Sequence, residues 1–303
     1  MDIEDIIKRS GKGRFFRSTR KLNQPQLVSH ITQRAAGREP LFVEDQDYLF
    51  LLGWLKDWVQ QAEVALYAFC FMPNHVHLLI SPQQENLYGA MRDLFSRYAR
   101  YFNRKYERKG HLFGSPYRQA VCLDEKYLLA ASLYIHLNPV RAGLVAGPQA
   151  YRWSSSRLYS DKAAANSFVD SSFILGLISD DYPAARRTYR MLLRQASGLR
   201  VDEVLEVEGA INRLQEKLKK LVPAVWKGIT PGRVRNPEGI DLLDSEELSR
   251  RIETLKLKGR LGPAESRPAR KYLIEQLIAR GFKRNEIADW LGVSVKTVYN
   301  YLN

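Results

Sequence analysis

The first half of the chain alternates between the apolar spacings of strands and of helices. Short apolar runs predict four strands, at residues 27–32, 64–72, 75–81 and 117–123. Apolar residues three and four positions apart predict helices at 44–62, 87–106 and 124–138, and we expect Pro139 to end the third. The order up to the fourth strand is that of the ferredoxin-like unit. We therefore predict an α+β fold: a ferredoxin-like antiparallel sheet with two helices on one face and the third helix against the other face or an edge.

The second half of the chain carries helical patterns between proline- and glycine-bearing stretches. Residues 172–216 and 245–257 have helical spacing, whereas the stretches at 222–239 and 262–268 are predicted to be linkers. We therefore divide the chain into a first domain at residues 1–160, a helical extension and linker at 161–261, and an all-α C-terminal module at 262–303.

The last segment of the chain has the pattern of a helix-turn-helix. Gly292 permits a tight turn after an apolar helical stripe, and Ser294 can cap a second helix. The exposed side chains of that second helix would face a DNA groove, and they are Lys296, Thr297 and Asn300. An ordinary helical hairpin is the alternative, but the basic charge of the chain favours DNA binding.

Basic residues exceed acidic residues in this chain of 303 residues. Lys and Arg number 47 against 33 Asp and Glu, a net charge of +14, which favours a polyanionic partner: nucleic acid first, an anionic membrane surface second. The two cysteines, Cys70 and Cys122, are too few for a disulfide framework and are predicted to be buried thiols. Without a signal peptide or a stretch long enough to span a membrane, we expect a soluble, cytoplasmic, nucleoid-associated protein.

His75 and His77 stand two residues apart in the third predicted strand, so they share one face of the sheet. Two imidazoles at this spacing can converge on one divalent ion. A pair of solvated histidines would show the same spacing. The spacing alone therefore leaves a metal site and a solvated pair equally open.

Tyr134 and Asn138 lie four residues apart in the third predicted helix and so share a helix face. A tyrosine hydroxyl can act as a covalent nucleophile, and an Asn oxygen can bind a hard cation. A half-buried tyrosine and an Asn near a helix end fit the same spacing. Since the chain has 16 tyrosines, the spacing alone favours this simpler interpretation.

The second predicted helix interleaves basic and aromatic residues. Basic side chains neutralise phosphates and aromatic rings stack on bases, so this pattern indicates nucleic-acid binding. The side chains that we expect to contact DNA here are Arg97, Arg100, Arg104 and Lys105. An amphipathic helix with inward aromatics and solvated charges is the alternative, and the two interpretations are compatible.

Three motifs resemble those of a known family. They are Met72-Pro73-Asn74-His75-Val76-His77-Leu78-Leu79, Gly110-His111-Leu112-Phe113 with Tyr117-Arg118, and Tyr134-Ile135-His136-Leu137-Asn138-Pro139-Val140-Arg141. Their order and spacing are similar to those of the REP-associated tyrosine transposases, single-tyrosine transposases of the HUH nuclease superfamily. The resemblance covers about residues 28–159. It departs at Gly114-Ser115-Pro116, where relatives usually carry a Gln-Gly pair, and we interpret this as loop variation.

The resemblance implies a ferredoxin-like transposase domain in which His75, His77 and Asn138 bind Mg²⁺ or Mn²⁺ and Tyr134 is the nucleophile. It further implies cleavage and rejoining of single-stranded DNA near palindromic hairpins. The reaction would pass through a 5′-phosphotyrosine intermediate and would be carried out by a monomer or a homodimer.

Arg118 and Arg141 lie within the matched motifs and complete the predicted DNA contacts. Two other functional classes remain. A DNA-binding regulator without chemistry is supported by the helix-turn-helix, and an RNA-binding module would need base-stacking aromatics where His75 and His77 stand. A metal-dependent nicking assay on single-stranded oligonucleotides separates the three classes.

Overall fold

The computed structural model describes most of the first domain and parts of the remainder. The described residues are 15–16, 25–37, 39–61, 64–84, 86–122, 124–160, 167–198, 210–229, 250, 252, 270–275, 277 and 282–301. The predicted linker at 262–268, most of the predicted helix at 245–257, and residues 230–239 of the predicted linker at 222–239 lie outside the described residues.

In the described part of the chain, five strands form one antiparallel sheet. They are β1 (Phe15–Phe16), β2 (Ser29–Arg34), β3 (Val64–Met72), β4 (His75–Pro82) and β5 (Arg118–Val121). The order across the sheet is β1-β5-β2-β4-β3. Without the unpredicted, two-residue β1, the sheet has the strand arrangement of the ferredoxin-like unit. The predicted α+β fold with an antiparallel sheet is confirmed.

Helices cover both faces of this sheet. α1 (Asp45–Gln60) and α2 (Leu87–Lys105) pack on each other, and α2 lies over the face that carries Gln33. α3 (Glu125–Arg141) covers the opposite face, which carries His77. Two helices thus share one face and the third helix takes the other, as the element order predicts.

Pro139 lies inside α3, so the prediction that it ends this helix is wrong. Proline lacks the N–H that would bond the carbonyl of Ile135. The side chain of Asn138 compensates, because its Nδ2 donates to the carbonyl of Tyr134 at 2.8 Å and approaches that of Ile135 at 3.5 Å. The helix therefore continues past the proline to Arg141.

The rest of the described chain is helical. Its helices are α4 (Ser156–Ser160), α5 (Ser171–Leu175), α6 (Tyr182–Ser197), α7 (Ala210–Leu221), α8 (Pro223–Gly228), α9 (Arg284–Leu291) and α10 (Val295–Tyr301). The linker prediction is wrong for α8, because Pro223 fits the first turn of a helix and Trp226 is buried. Within the described residues, no helix is both long enough and apolar enough to span a bilayer.

His136 ties α3 to the helical extension. Its Nδ1 lies 2.9 Å from the hydroxyl of Tyr189 on α6, and its Nε2 lies 2.8 Å from the hydroxyl of Ser155. The ring is fully buried, and burial lowers its pKa to about 3, so it stays neutral. The extension therefore helps to fix the helix that carries Tyr134.

A tight turn joins α9 and α10. Gly292 has a φ of 64°, a left-handed conformation that suits glycine, and Oγ of Ser294 accepts a 3.0 Å hydrogen bond from the amide of Thr297. Buried apolar residues of these helices belong to a second core cluster that includes Leu27 and Val121. One apolar cluster thus includes residues of the C-terminal helices together with residues just before β2 and at the end of β5.

Candidate active site

One face of the sheet carries the side chains of the candidate site. The pairing of β2 with β4 places Thr32 opposite His77 and Arg34 opposite His75. His30 precedes Thr32 by two residues, so it shares this face. His75 and His77 are only 5% and 1% exposed, which rules out the alternative of two solvated histidines.

The structure brings Tyr134 and Asn138 to the same place. The ring centroid of Tyr134 lies 5.9 Å from that of His77 and 5.9 Å from that of His30. The rings of His75 and His77 are 4.7 Å apart and nearly perpendicular. Asn138, one helical turn after Tyr134, is fully buried. Tyr134 is therefore buried rather than half-buried, whereas Asn138 does lie near the end of α3.

The Nδ1 atoms of the two candidate metal-binding histidines lie within hydrogen-bond distance of neighbouring side chains. Nδ1 of His75 donates to Oδ1 of Asn74 at 2.7 Å, because an amide oxygen can only accept; Nε2 of the neutral ring then keeps its lone pair. Nδ1 of His77 lies 2.9 Å from Nε2 of His30 and 3.3 Å from Oγ1 of Thr32. Nε2 of His77 is buried and has no hydrogen-bond partner among the described residues.

Burial keeps these imidazoles neutral. It lowers the pKa of His30 to about 4, and together with the charges of Arg34 and His30 it lowers the pKa of His75 to about 3. The pKa of His77 also falls well below its usual value, first through burial and then through the neighbouring positive charges. Neutral imidazole is the form that binds metal ions.

Asn138 turns its amide oxygen towards the histidines. Its Nδ2 is held by the carbonyl of Tyr134, so Oδ1 lies on the other side of the amide. Oδ1 is buried and has no hydrogen-bond partner in the described part of the chain. Asn138 acts to raise the pKa of His77 and so offsets part of this decrease, because the two side chains are close to each other.

The donor set of His75, His77 and Asn138 fits a divalent cation. No group of three or more His, Cys, Asp or Glu side chains in the described ranges is placed to hold a metal ion, so the amide oxygen is needed to complete this set. A cation would satisfy Nε2 of His77 and Oδ1 of Asn138, which have no hydrogen-bond partner among the described residues. Mg²⁺ prefers oxygen ligands in near-ideal octahedral geometry, so two imidazoles suit Mn²⁺ better.

Arg141 lies at the end of α3 beside Tyr134. Its Cζ is 5.5 Å from the centroid of the tyrosine ring. Burial lowers the pKa of Arg141, and its Nε and Nη2 are buried without a hydrogen-bond partner among the described residues. A buried guanidinium with unused donors is suited to bind an anion such as phosphate. Arg118 lies opposite Thr32 in the pairing of β5 with β2, so it stands on the same face.

The cations of α2 fall into two groups. Arg97 donates to Asp93 at 2.8 Å, and Lys105 forms a 2.6 Å ion pair with the buried Asp47, so both are engaged within the protein. The other two predicted DNA contacts of this helix are exposed, and they are Arg100 and Arg104. All four stay predictions, but the geometry supports only the exposed pair.

The C-terminal helix α10 presents two of its three predicted DNA contacts to solvent, Lys296 and Asn300. Thr297 instead helps to cap the helix, because its Oγ1 lies 2.7 Å from Oγ of Ser294. Contact with DNA by these residues stays a prediction.

Some residues of the site were not among those predicted, namely His30, Thr32 and Arg34. All of them lie on β2 at a spacing of two, which places them on one face of the sheet. Polar residues in alternate positions of a strand are the same signal that singles out His75 and His77. That signal could have identified them.

The chain matches a known family over much of its first domain. Residues 23–138 match the family described as IS200-like transposases. The matched segment contains His75, His77 and Tyr134 and ends at Asn138. The resemblance to the tyrosine transposases that the motifs indicated is confirmed for this segment.

One solved structure that resembles the chain is that of a REP-associated tyrosine transposase bound to a REP hairpin. It is 14% identical, with a TM-score of 0.38, and the similarity covers 46% of this chain and 81% of that chain. A likeness of this size supports no argument about function. No curated protein matches the chain.

Proposed function

We propose that this protein is a transposase that cleaves and rejoins single-stranded DNA through a covalent bond to Tyr134. The observation that carries the proposal is the convergence of Tyr134, His77 and Asn138 in one buried site. There, Nε2 of His77 and Oδ1 of Asn138 lack protein partners among the described residues, and the rings of Tyr134 and His77 are 5.9 Å apart.

In this site, His75, His77 and Asn138 would hold Mg²⁺ or Mn²⁺, which when bound polarises the scissile phosphate as a Lewis acid. The chain's own hydrogen bonds prepare these residues for that role. Asn74 orients His75, His30 orients His77, and the backbone of α3 orients Asn138. Each ligand is therefore held in position before a cation binds.

The chemical step that we propose is an in-line displacement at phosphorus. The phenolic oxygen of Tyr134 forms a bond to phosphorus and loses its proton, while the bond from phosphorus to the 3′ oxygen breaks and that oxygen takes up a proton. The products are a 5′-phosphotyrosine link and a free 3′-hydroxyl. The energy of the phosphoester bond is kept in the link, so rejoining needs no ATP.

Arg141 is placed to bind the phosphate that Tyr134 attacks. Its guanidinium lies beside the tyrosine ring and retains unused donors that a phosphate oxygen would satisfy. Arg118 stands on the same face of the sheet and extends the positive surface for the strand. The net charge of +14 supports a nucleic-acid substrate, and the family resemblance adds a palindromic hairpin beside the cleavage site.

A gel assay for the covalent intermediate tests this proposal. The native protein, a single-stranded hairpin oligonucleotide from inverted repeats near the coding region, and Mn²⁺ should yield a protein–DNA adduct on a denaturing gel. Tyr134→Phe should give no adduct. Tyr159→Phe, the matched control for a buried tyrosine elsewhere, should keep it, and an adduct of equal yield from Tyr134→Phe contradicts the assignment.

A second candidate function is that of a DNA-binding regulator without chemistry. The turn between α9 and α10 supports it, because a helix-turn-helix needs such a tight turn and the second helix exposes Lys296 and Asn300. We propose duplex DNA as the partner of this module. If the protein binds duplex DNA but forms no covalent adduct with any single-stranded substrate, the result favours the DNA-binding regulator. If it binds RNA and shows neither duplex binding nor an adduct, the result favours the RNA-binding module.

A further inference from the structure

A cavity of about 680 Å³ lies on the face of the sheet opposite the candidate active site. It is enclosed by α2 and by the segment that leads into β5. Aromatic side chains line it, among them Phe95, Phe113 and Tyr117, together with the arginines Arg92, Arg100 and Arg104. Its volume lies within the usual range for small-ligand pockets, ~300–1,000 Å³.

Gln33 places a polar group at this cavity that no part of the described chain satisfies. The side chain lines the cavity and the residue is 3% exposed. Its Nε2 donates to the carbonyl of Ser115 at 3.0 Å, whereas Oε1 is buried and has no hydrogen-bond partner among the described residues. A buried acceptor without a partner is costly, so this atom is suited to receive an N–H donor from a ligand.

The charges at the cavity favour an anionic ligand. Arg92, Arg100 and Arg104 are exposed and form no salt bridge with a carboxylate of the described residues. Arg97 and Lys105 on the same helix are, by contrast, held by Asp93 and Asp47. The arginines of α2 that have no carboxylate partner among the described residues are thus the ones that border the aromatic cavity.

We propose that this cavity binds one unpaired nucleobase of the DNA substrate. The base would stack on the aromatic side chains, donate an N–H to Oε1 of Gln33, and leave its flanking phosphates to Arg100 and Arg104. Only an unpaired base exposes a face for stacking and an edge for the amide. This inference rests on the proposed function, because it assigns the cavity a part of the same DNA strand.

Gln33, at this cavity, is the neighbour in β2 of a residue at the candidate active site. Gln33 follows Thr32, whose hydroxyl is 3.3 Å from Nδ1 of His77, and the two side chains point to opposite faces of β2. One sheet layer, ~10 Å thick, therefore separates the bound base from the site of cleavage. A base held in the cavity would set which phosphate, a few nucleotides away, reaches Tyr134.

Abasic scanning of a cleaved oligonucleotide tests the assignment. Each base outside the paired stem of the hairpin is replaced in turn by an abasic site, and the Kd is measured by fluorescence anisotropy. We expect one position at which loss of the base raises the Kd of the native protein about tenfold. That penalty should disappear in Gln33→Leu, while the control Gln195→Leu, at an exposed position on α6, should retain it.

The rim arginines give a second test that does not disturb a buried residue. The double variant Arg100→Gln, Arg104→Gln should weaken binding and reduce the same abasic penalty. If the native protein forms the Tyr134 adduct but no abasic position depends on Gln33 or on these arginines, the cavity is not a base site. If no oligonucleotide gives an adduct, the proposed function fails, whereas a Gln33-dependent abasic penalty would still support the cavity.

Discussion

Nε2 of His30 lies 2.9 Å from Nδ1 of His77, across the pairing of β2 with β4. Two neutral rings that meet through nitrogen atoms share one proton between them. If Nδ1 of His77 donates that proton, its Nε2 keeps a lone pair for a cation, and His30 acts as the residue that positions it. Oγ1 of Thr32, 3.3 Å from the same nitrogen, supports this orientation.

We expect His30→Leu to weaken the binding of Mn²⁺ by about tenfold, the usual effect of removing an outer hydrogen-bond partner of a ligand. Titration of the free protein followed by electron paramagnetic resonance measures the affinity without any DNA. His111→Leu is the control, because that histidine is exposed. In ¹⁵N spectra of labelled histidine, the variant should also shift the proton of His77 away from Nδ1. Unchanged affinity and spectra would mean that His30 only fills space.

Asn138→Asp separates the two halves of the side-chain amide. The oxygen ligand remains, so the affinity for Mn²⁺ should not fall. The donor to the carbonyl of Tyr134 is lost and replaced by an acceptor, so the free energy of unfolding should drop by about 2 kcal/mol in chemical denaturation. The control Asn103→Asp, whose amide nitrogen donates to an exposed carbonyl, should cost less.

Asn138→Asp in a Pro139→Ala background tests whether the side chain of Asn138 compensates for the N–H that Pro139 lacks. Alanine restores the N–H that the proline lacks, so the carbonyl of Ile135 no longer depends on the side chain of Asn138. The loss of stability on Asn138→Asp should then be smaller. An equal loss in both backgrounds would show that the proline and the amide act independently.

Arg141→Met should slow adduct formation and leave the fold intact. Methionine fills the space of the side chain, and loss of a buried charge without a described partner is close to neutral for stability. We expect the rate of adduct formation to fall by about 10²-fold, the usual effect of losing a donor to the transition state. Tm and hairpin affinity should change little. The matched variant Arg187→Met, exposed on α6, should react at the native rate.

Deletion of the residues after Leu261 should weaken binding to duplex DNA and make it less dependent on salt. Nicking of a short single-stranded substrate should remain measurable. The truncation also uncovers Leu27 and Val121, so a lower Tm is expected. Lys296→Gln in the full chain is the matched variant, because this exposed change should weaken duplex binding at constant Tm. Complete loss of nicking in a folded truncated protein contradicts a separate role for the module.

The sheet and its helices could be predicted because strands and helices repeat at different spacings along the sequence. The length of α3 could not, because a proline normally ends a helix and the compensating bond comes from the side chain just before it. The ion pair of Lys105 with Asp47 was equally hidden, since the two residues are far apart in sequence. The contact with Asp47 in the folded chain shows that Lys105, which we predicted to bind DNA, forms an ion pair within the protein.

The candidate site, too, could be predicted only in part from the sequence. The resemblance to the tyrosine transposases singled out His75, His77, Tyr134 and Asn138, which their spacing alone did not, and the fold brings all of them together. The contribution of His30 depends on the register between β2 and β4, which a single sequence does not reveal. The packing of the C-terminal cluster against the start of β2 was likewise beyond prediction, because the chain between them is long.

Tyr134 is only 3% exposed, and in the proposed reaction this burial bears on the fate of the cut strand. A strand would have to displace the side chains that cover the tyrosine before it could react. Once formed, the ester would sit where bulk water has little access, so hydrolysis would be slow relative to attack by a returning 3′-hydroxyl. A broken strand would then stay attached to the protein until it is resealed, and the cell would be spared a free 5′ end.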